Sequence, residues 1–161
     1  MADALATAVP QLLLLGNVLL AMVLGGAIGF EREAAERPAG LRTHMLLGAA
    51  AALLVGLGDP LISYFGAQGH GVTLRVDPMR LVEAVVTAVG FLGAGTIFRH
   101  HGKQAVVGLT TAASMLMVAA IGISIGLRQY VLAVGVTVFT LLVLRILRRF
   151  EAAFKARGGR A

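Results

Sequence analysis

The chain reads as an all-α integral membrane protein of about five transmembrane helices, with its N-terminus outside and its C-terminus in the cytoplasm. Three observations carry that expectation. Hydrophobic residues make up 58% of the 161 and charged residues only 14%, with a mean hydropathy of +0.87. Residues 9–30 run 22 positions without a charge, and a bilayer core roughly 30 Å thick needs about 20 such residues at about 1.5 Å each. The apolar runs are long and unalternated, unlike barrel strands. Backbone amides cannot stay unpaired in hydrocarbon, so each span should be helical.

Five spans are expected in order. The first covers 9–30. The second covers about 43–65 and should break near Gly58, Asp59 and Pro60. The third covers 78–98, with Asp77 as N-cap and Pro78 at the first helical position. The fourth covers 109–127 and the fifth 130–146. Residues 63–75, with glycines around His70, read as an irregular loop. The transmembrane domain should occupy 1–147, leaving 148–161 as a short basic cytoplasmic tail. MADALATAVP has no basic n-region and the apolar run after it is long, so no cleaved signal peptide is expected. With no cysteine, the chain has no disulfide or thiolate chemistry.

Orientation follows from Lys and Arg. Eleven fall at one set of ends: Arg32, Arg37, Arg42, Arg99, Lys103, Arg145, Arg148, Arg149, Lys155, Arg157 and Arg160. Three fall at the other: Arg75, Arg80 and Arg128. The excess of basic residues marks the cytoplasmic side. This also accounts for the net charge of +6 without a nucleic-acid partner.

Small residues suggest how the helices meet. Gly25 and Gly29 are four apart, as are Gly122 and Gly126, and the third span carries Gly90, Gly93 and Gly95. Such spacing lets backbones approach closely. The fifth span is mostly Val and Leu and should face lipid or a partner.

The densest charge lies in EREAAERPAGLRTH, which opens at Glu31. Glu31, Arg32 and Glu33 sit at the negative end of the first helix dipole, where two carboxylates are unfavourable unless a cation meets them. Arg42 is expected to neutralise Glu31 or Glu33. Thr43 and His44 open the second span, and Thr110, Thr111 and Ser114 open the fourth, so these hydroxyls should lie near the same cytoplasmic mouth. Toward the outer end, Glu83 stands inside the third span, where an ionisable group costs about 2.5–3.5 kcal/mol. Either it faces the bundle near Asn17 and Thr87, or it pairs with Arg80 three residues earlier. His100 and His101 lack a third ligand at motif spacing. No nucleotide loop, Ser/His/Asp set or zinc motif is present.

Three blocks, GFEREAAERPAGLRTHMLLGAAAALL, LVEAVVTAVGFLGAGTIF and GLTTAASMLMVAAIGISIG, resemble the membrane domain of the MgtC/SapB family over about 29–126. The resemblance implies a small bacterial inner-membrane protein linked to magnesium limitation, survival in macrophages and restraint of the F-type ATP synthase. Carried over by motif, it singles out Glu31, Arg32, Glu33, Pro38, Gly40, Arg42, Thr43, Asp77, Arg80, Gly93, Gly95, Thr110 and Thr111. Glu83 rests on the membrane-cost argument alone. There are departures. Val107 stands where many relatives carry a basic residue, and Leu116 where many carry tryptophan. Residues 148–161 are too few for the C-terminal cytoplasmic domain many relatives have.

The function expected is a non-enzymatic membrane modulator acting through protein partners as a homodimer, in contact with the lipid bilayer. No cofactor is required by any motif; an opposite helix or a hard cation such as magnesium could also meet the carboxylates at the end of the first helix. The alternative is a cation or small-solute transporter or channel.

Overall fold

The computed structural model describes residues 2–67, 77–99 and 106–158. Its helices are α1 (Ala2–Ala34), α2 (Leu41–Gly56), α3 (Gly58–Ala67), α4 (Met79–Ala94), α5 (Leu109–Gly126) and α6 (Tyr130–Gly158). Two-residue strands β1 (Phe98–Arg99) and β2 (Val106–Val107) pair antiparallel, Phe98 opposite Val107. Among the described residues, three stretches are long and apolar enough to cross a membrane: Ala8–Ala34, Leu41–Gly66 and Leu109–Gly126. Tyr130–Ile146 is a shorter apolar helix. The chain is an all-α membrane protein in contact with the bilayer.

The second span breaks at Leu57, one residue before the expected Gly58. Helix then continues to Ala67, so 63–67 are helical rather than irregular. His70, His100, His101 and Lys103 lie outside the described residues. α4 is shorter than expected, with 16 residues ending at Ala94. Thr96 and Ile97 close the turn through their N–H groups to the Gly93 and Ala94 carbonyls, and the chain enters β1. At the start of α4, Asp77 Oδ1 accepts from Met79 N at 3.0 Å, which is the capping role expected of it. α6 runs past residue 147 without interruption to Gly158, so most of the expected tail continues the last helix.

α5 is the central element. It packs on α1, α2, α4 and α6, and its buried side chains include Met115, Val118, Ala119, Ile121 and Ile125. One apolar cluster joins Ala21 and Ile28 of α1 to Ala52 of α2, Val118, Ile121 and Ile125 of α5, and Ala133 of α6. A second joins Val85 and Val89 of α4 to Ala51, Met115 and Ala119. α6 turns Ala133, Thr137 and Thr140 inward and leaves Val131, Val138 and Phe139 exposed, as expected for a helix facing lipid.

Glycine sets the spacing where α1, α2 and α5 meet. A Cβ at Gly25 would lie 2.6 Å from the His44 carbonyl oxygen, and one at Gly29 2.8 Å from Leu41 Cα. At Gly122 it would lie 2.5 Å from the Gly48 carbonyl oxygen, and at Gly126 2.9 Å from Val55 Cβ. Gly93 packs more loosely, 3.3 Å from Ala112 Cβ. Gly90 meets nothing within 4 Å, and the contacts of Gly95 are carbonyls of its own helix, so neither serves the helix packing expected of it. Gly48, which the four-residue spacing did not flag, would place a Cβ 2.9 Å from the Ala21 carbonyl oxygen.

Candidate functional site: a buried polar cluster at the Glu31 end

The end of α1, the starts of α2 and α5 and the Arg148 turn of α6 converge. α1 closes with paired turn hydrogen bonds, Arg37 N to Arg32 O at 3.0 Å and Glu36 N to Glu33 O at 2.9 Å. This is the Schellman pattern, and Glu36 takes its left-handed position at φ 54°. The chain therefore reverses within six residues and starts α2 beside the last turn of α1.

Glu33 uses this reversal. It is exposed, and its Oε2 accepts from Leu41 N at 2.8 Å. Gly40 before Leu41 offers no side chain to cap α2. The Glu33 carboxylate does so from the neighbouring helix, where the positive end of the α2 dipole favours it. A Cβ at Gly40 would lie 2.6 Å from that oxygen, so a larger residue there would push the Glu33 carboxylate aside.

Glu31 and Arg32 are buried, at 5% and 4% exposure. Arg32 Nη1 stands 3.9 Å from Glu31 Oε2, and Arg148 Nη1 of α6 stands 3.8 Å from Oε1. Arg148 Nη2 also lies 3.5 Å from the Ala34 carbonyl oxygen, placing a cation at the negative end of α1. These ion pairs are longer than hydrogen bonds. Neither Glu31 oxygen, nor Arg32 Nε or Nη2, has a hydrogen-bond partner among the described residues.

Arg42 does not neutralise either glutamate. It is exposed and forms no ion pair among the described residues. The reason is helical phase. His44, Gly48, Ala51 and Val55 form the buried face of α2, and Arg42, two residues from His44, is about 200° away around the helix. Thr43 is exposed too. The same phasing separates Thr110, which is exposed, from Thr111, which is 1% exposed.

His44 is the residue that sequence reasoning undervalued. It is fully buried. Its Nδ1 lies 2.9 Å from Gly40 O and its Nε2 3.0 Å from Ser114 Oγ. A carbonyl can only accept, so Nδ1 carries a hydrogen. Ser114 Oγ also lies 2.8 Å from Thr111 O. Its single hydrogen is thus shared between that carbonyl and the ring. The Ser–His contact has the spacing of a nucleophile and a base, but Ser114 is 3% exposed and His44 0%, and the pair clasps α2 to α5. The signal was available: His44 shares its helix face with small residues four and seven positions on.

At the opposite end, Tyr130 OH donates to Asn17 Oδ1 at 3.0 Å. Asn17 therefore meets α6 and not Glu83. Asp77, Arg80, Glu83 and Thr87 are all exposed on or beside α4, and Glu83 neither faces the bundle nor pairs with Arg80 among the described residues.

The arrangement does not suit a hard cation. Magnesium takes near-octahedral oxygen ligands, and Glu31 is a single carboxylate between two guanidinium groups. No group of three His, Cys, Asp or Glu side chains comes together among the described residues.

Similarity to known proteins agrees with this fold. The MgtC family model matches residues 18–153. The "Putative magnesium transporter YhiD" of Escherichia coli K12 is 42% identical over 135 residues, covering 81% of this chain and 58% of its own length. "Protein SrpB" of Synechococcus elongatus is 38% identical over 142 residues, covering 84% and 75%. "Protein MgtC" of Salmonella typhimurium LT2 is 38% identical over 137 residues, covering 85% and 52%. The chain thus spans between half and three-fifths of YhiD and MgtC. No solved structure matches it. With a family match over residues 18–153 and relatives sharing about two residues in five, this multi-pass bacterial membrane protein belongs to the MgtC family.

Proposed function

We propose that this chain is an MgtC-like protein of the bacterial inner membrane that modulates a protein partner during magnesium limitation, acting as a homodimer and catalysing no reaction. The observation that carries this reading is the layer separating its two polar ends. Between Asn17 and Glu31 the bundle contains Ala21, Ala52, Val118, Ile121 and Ile125, all buried. There Gly25, Gly48 and Gly122 bring three helix backbones together. A path for a hydrated ion needs polar groups that replace its water; the inward-turned Thr137 and Thr140 of α6 spend their hydroxyls on the Ala133 and Val136 carbonyls of their own helix, and the cluster itself is apolar. The partner that the family resemblance implies is the F-type ATP synthase.

The second reading, transport, is favoured by the name of the YhiD relative. One experiment separates the two. The purified protein is reconstituted into liposomes, and magnesium and proton flux are followed under imposed gradients. In parallel, the protein is recovered from bacterial membranes in mild detergent. The modulator reading expects no flux above protein-free liposomes, together with co-recovery of ATP synthase subunits. Protein-dependent magnesium flux without a recovered partner would establish transport instead.

A further inference from the structure

The end of the bundle opposite Glu31 opens into a cleft of about 850 Å³ between the first half of α1, the α2–α3 junction and the α5–α6 turn. Asn17 on its wall lies 14 residues before Glu31, or about 21 Å along the helix axis. α2 ends, α5 ends and α6 begins around this cleft, and Arg128 lies two residues past Leu109–Gly126, a helix long and apolar enough to cross a membrane, so its charge falls near the boundary where lipid headgroups begin.

Its lining has two characters. Leu13, Leu14 and Val55 give an apolar wall. Asp59 and Arg128 give one anion and one cation, both exposed and without an ion pair among the described residues. The Asn17–Tyr130 hydrogen bond fixes the polar edge.

Arg128 is held there at a conformational cost. It is the left-handed residue of the α5 C-terminus, at φ 60°. Arg128 N bonds to Ile125 O and Gln129 N to Ser124 O, both at 2.8 Å. Glycine is the relaxed choice at this position. A long cationic residue on a backbone it disfavours, lining a cleft that also contains a carboxylate, points from strain toward binding.

We propose that this cleft binds a zwitterionic aminophospholipid. Its phosphate sits on Arg128, its ammonium on Asp59, and the start of its acyl chains on Leu13 and Leu14. The volume lies within the range of small-ligand sites. A free phosphate would leave Asp59 and the apolar wall unused. An anionic lipid would satisfy Arg128 and be repelled by Asp59.

The test uses the full chain in detergent with an equimolar mixture of phosphatidylethanolamine, phosphatidylcholine and phosphatidylglycerol bearing identical acyl chains. Native mass spectrometry reads the lipid retained per protomer. Wild type should retain phosphatidylethanolamine over phosphatidylglycerol by about fivefold, the ratio one partly exposed charge contact supplies. Asp59→Asn should abolish that preference while total lipid remains. Arg128→Asn should lower retention of all three by about fivefold; asparagine tolerates the left-handed backbone, so the turn persists. Arg80→Gln, on exposed α4 outside the cleft, should match wild type. Equal retention of the three lipids by wild type would overturn the proposal. So would unchanged retention in both cleft variants, or displacement of the lipid by soluble glycerophosphoethanolamine at the same concentration.

Discussion

His44 and Ser114 are 70 residues apart in the chain and 3.0 Å apart in the bundle, imidazole Nε2 to hydroxyl Oγ. Their contact ties α2 to α5 at the same end where Glu31 meets Arg148. Ser114→Ala leaves Nε2 buried without a partner. Such a group costs about 1–3 kcal/mol, and thermal unfolding in detergent should register it. Thr110→Val, on the exposed side of the same turn, should melt with wild type. Equal melting of the two variants would remove the clasp from the account.

Arg32 and Arg42 make a sharper contrast. Arg32→Ala leaves the Glu31 carboxylate buried beside Arg148 alone, and breaking a buried pair costs about 3–5 kcal/mol. Arg42→Ala should stay within about 0.5 kcal/mol of wild type, as surface changes do. Arg148 is 54% exposed, so its loss should fall between them, at about 1 kcal/mol or less. A melting order with Arg42→Ala as the most damaging change would restore the pairing first expected from sequence.

These two cases mark how far the sequence could be read. Hydropathy located the spans, because burying apolar length in lipid needs only composition and run length. It also brought Glu31, the threonines and Ser114 to one end, since alternate helix ends must share a side. It did not give the partner of Glu31. That depends on which face of each helix turns inward, and a single charged residue does not reveal its own phase. Arg42 was chosen by proximity in the chain, whereas Arg148 arrives from α6, 117 positions later. Gly90 was misjudged for a related reason: spacing shows that a helix can approach closely, not that another helix is there.

The glycines can be sorted by experiment. Gly25→Ala drives a methyl into the His44 carbonyl and should cost about 1–3 kcal/mol, the usual range for overpacking. Gly135 meets nothing within 4 Å, so Gly135→Ala should be neutral or stabilise by up to about 1 kcal/mol through helix propensity alone. Detergent melting curves of both variants would show it. A harmless Gly25→Ala would mean that α1 and α2 are farther apart than described.

Glu36 holds a left-handed backbone that costs an L-residue about 1–2 kcal/mol, while glycine carries an entropic penalty of about half that. Glu36→Gly should therefore raise stability by up to about 1 kcal/mol. The substitution also removes one acidic charge from the turn, so Glu36→Asp is the better-matched control, since aspartate keeps the charge and also accepts this conformation. Both variants should melt at or above wild type. If both melt lower, the Glu36 side chain has a role the turn geometry does not explain.

The orientation of the bundle remains the most exposed expectation, and its test is simple because the chain has no cysteine. Tyr64 on α3 and Glu36 in the α1–α2 turn are both exposed, and α2 and α3 carry the chain from one to the other. The excess of Lys and Arg at the Glu31 end predicts Glu36 in the cytoplasm and Tyr64 outside. Single cysteines at the two positions should therefore behave oppositely. A membrane-impermeant maleimide applied to intact spheroplasts should label position 64 and leave position 36 untouched. Position 36 should react only after the membrane is opened with detergent. Labelling of position 36 in intact cells, with position 64 protected, would invert the protein and put the Glu31–Arg148 pair on the outer face.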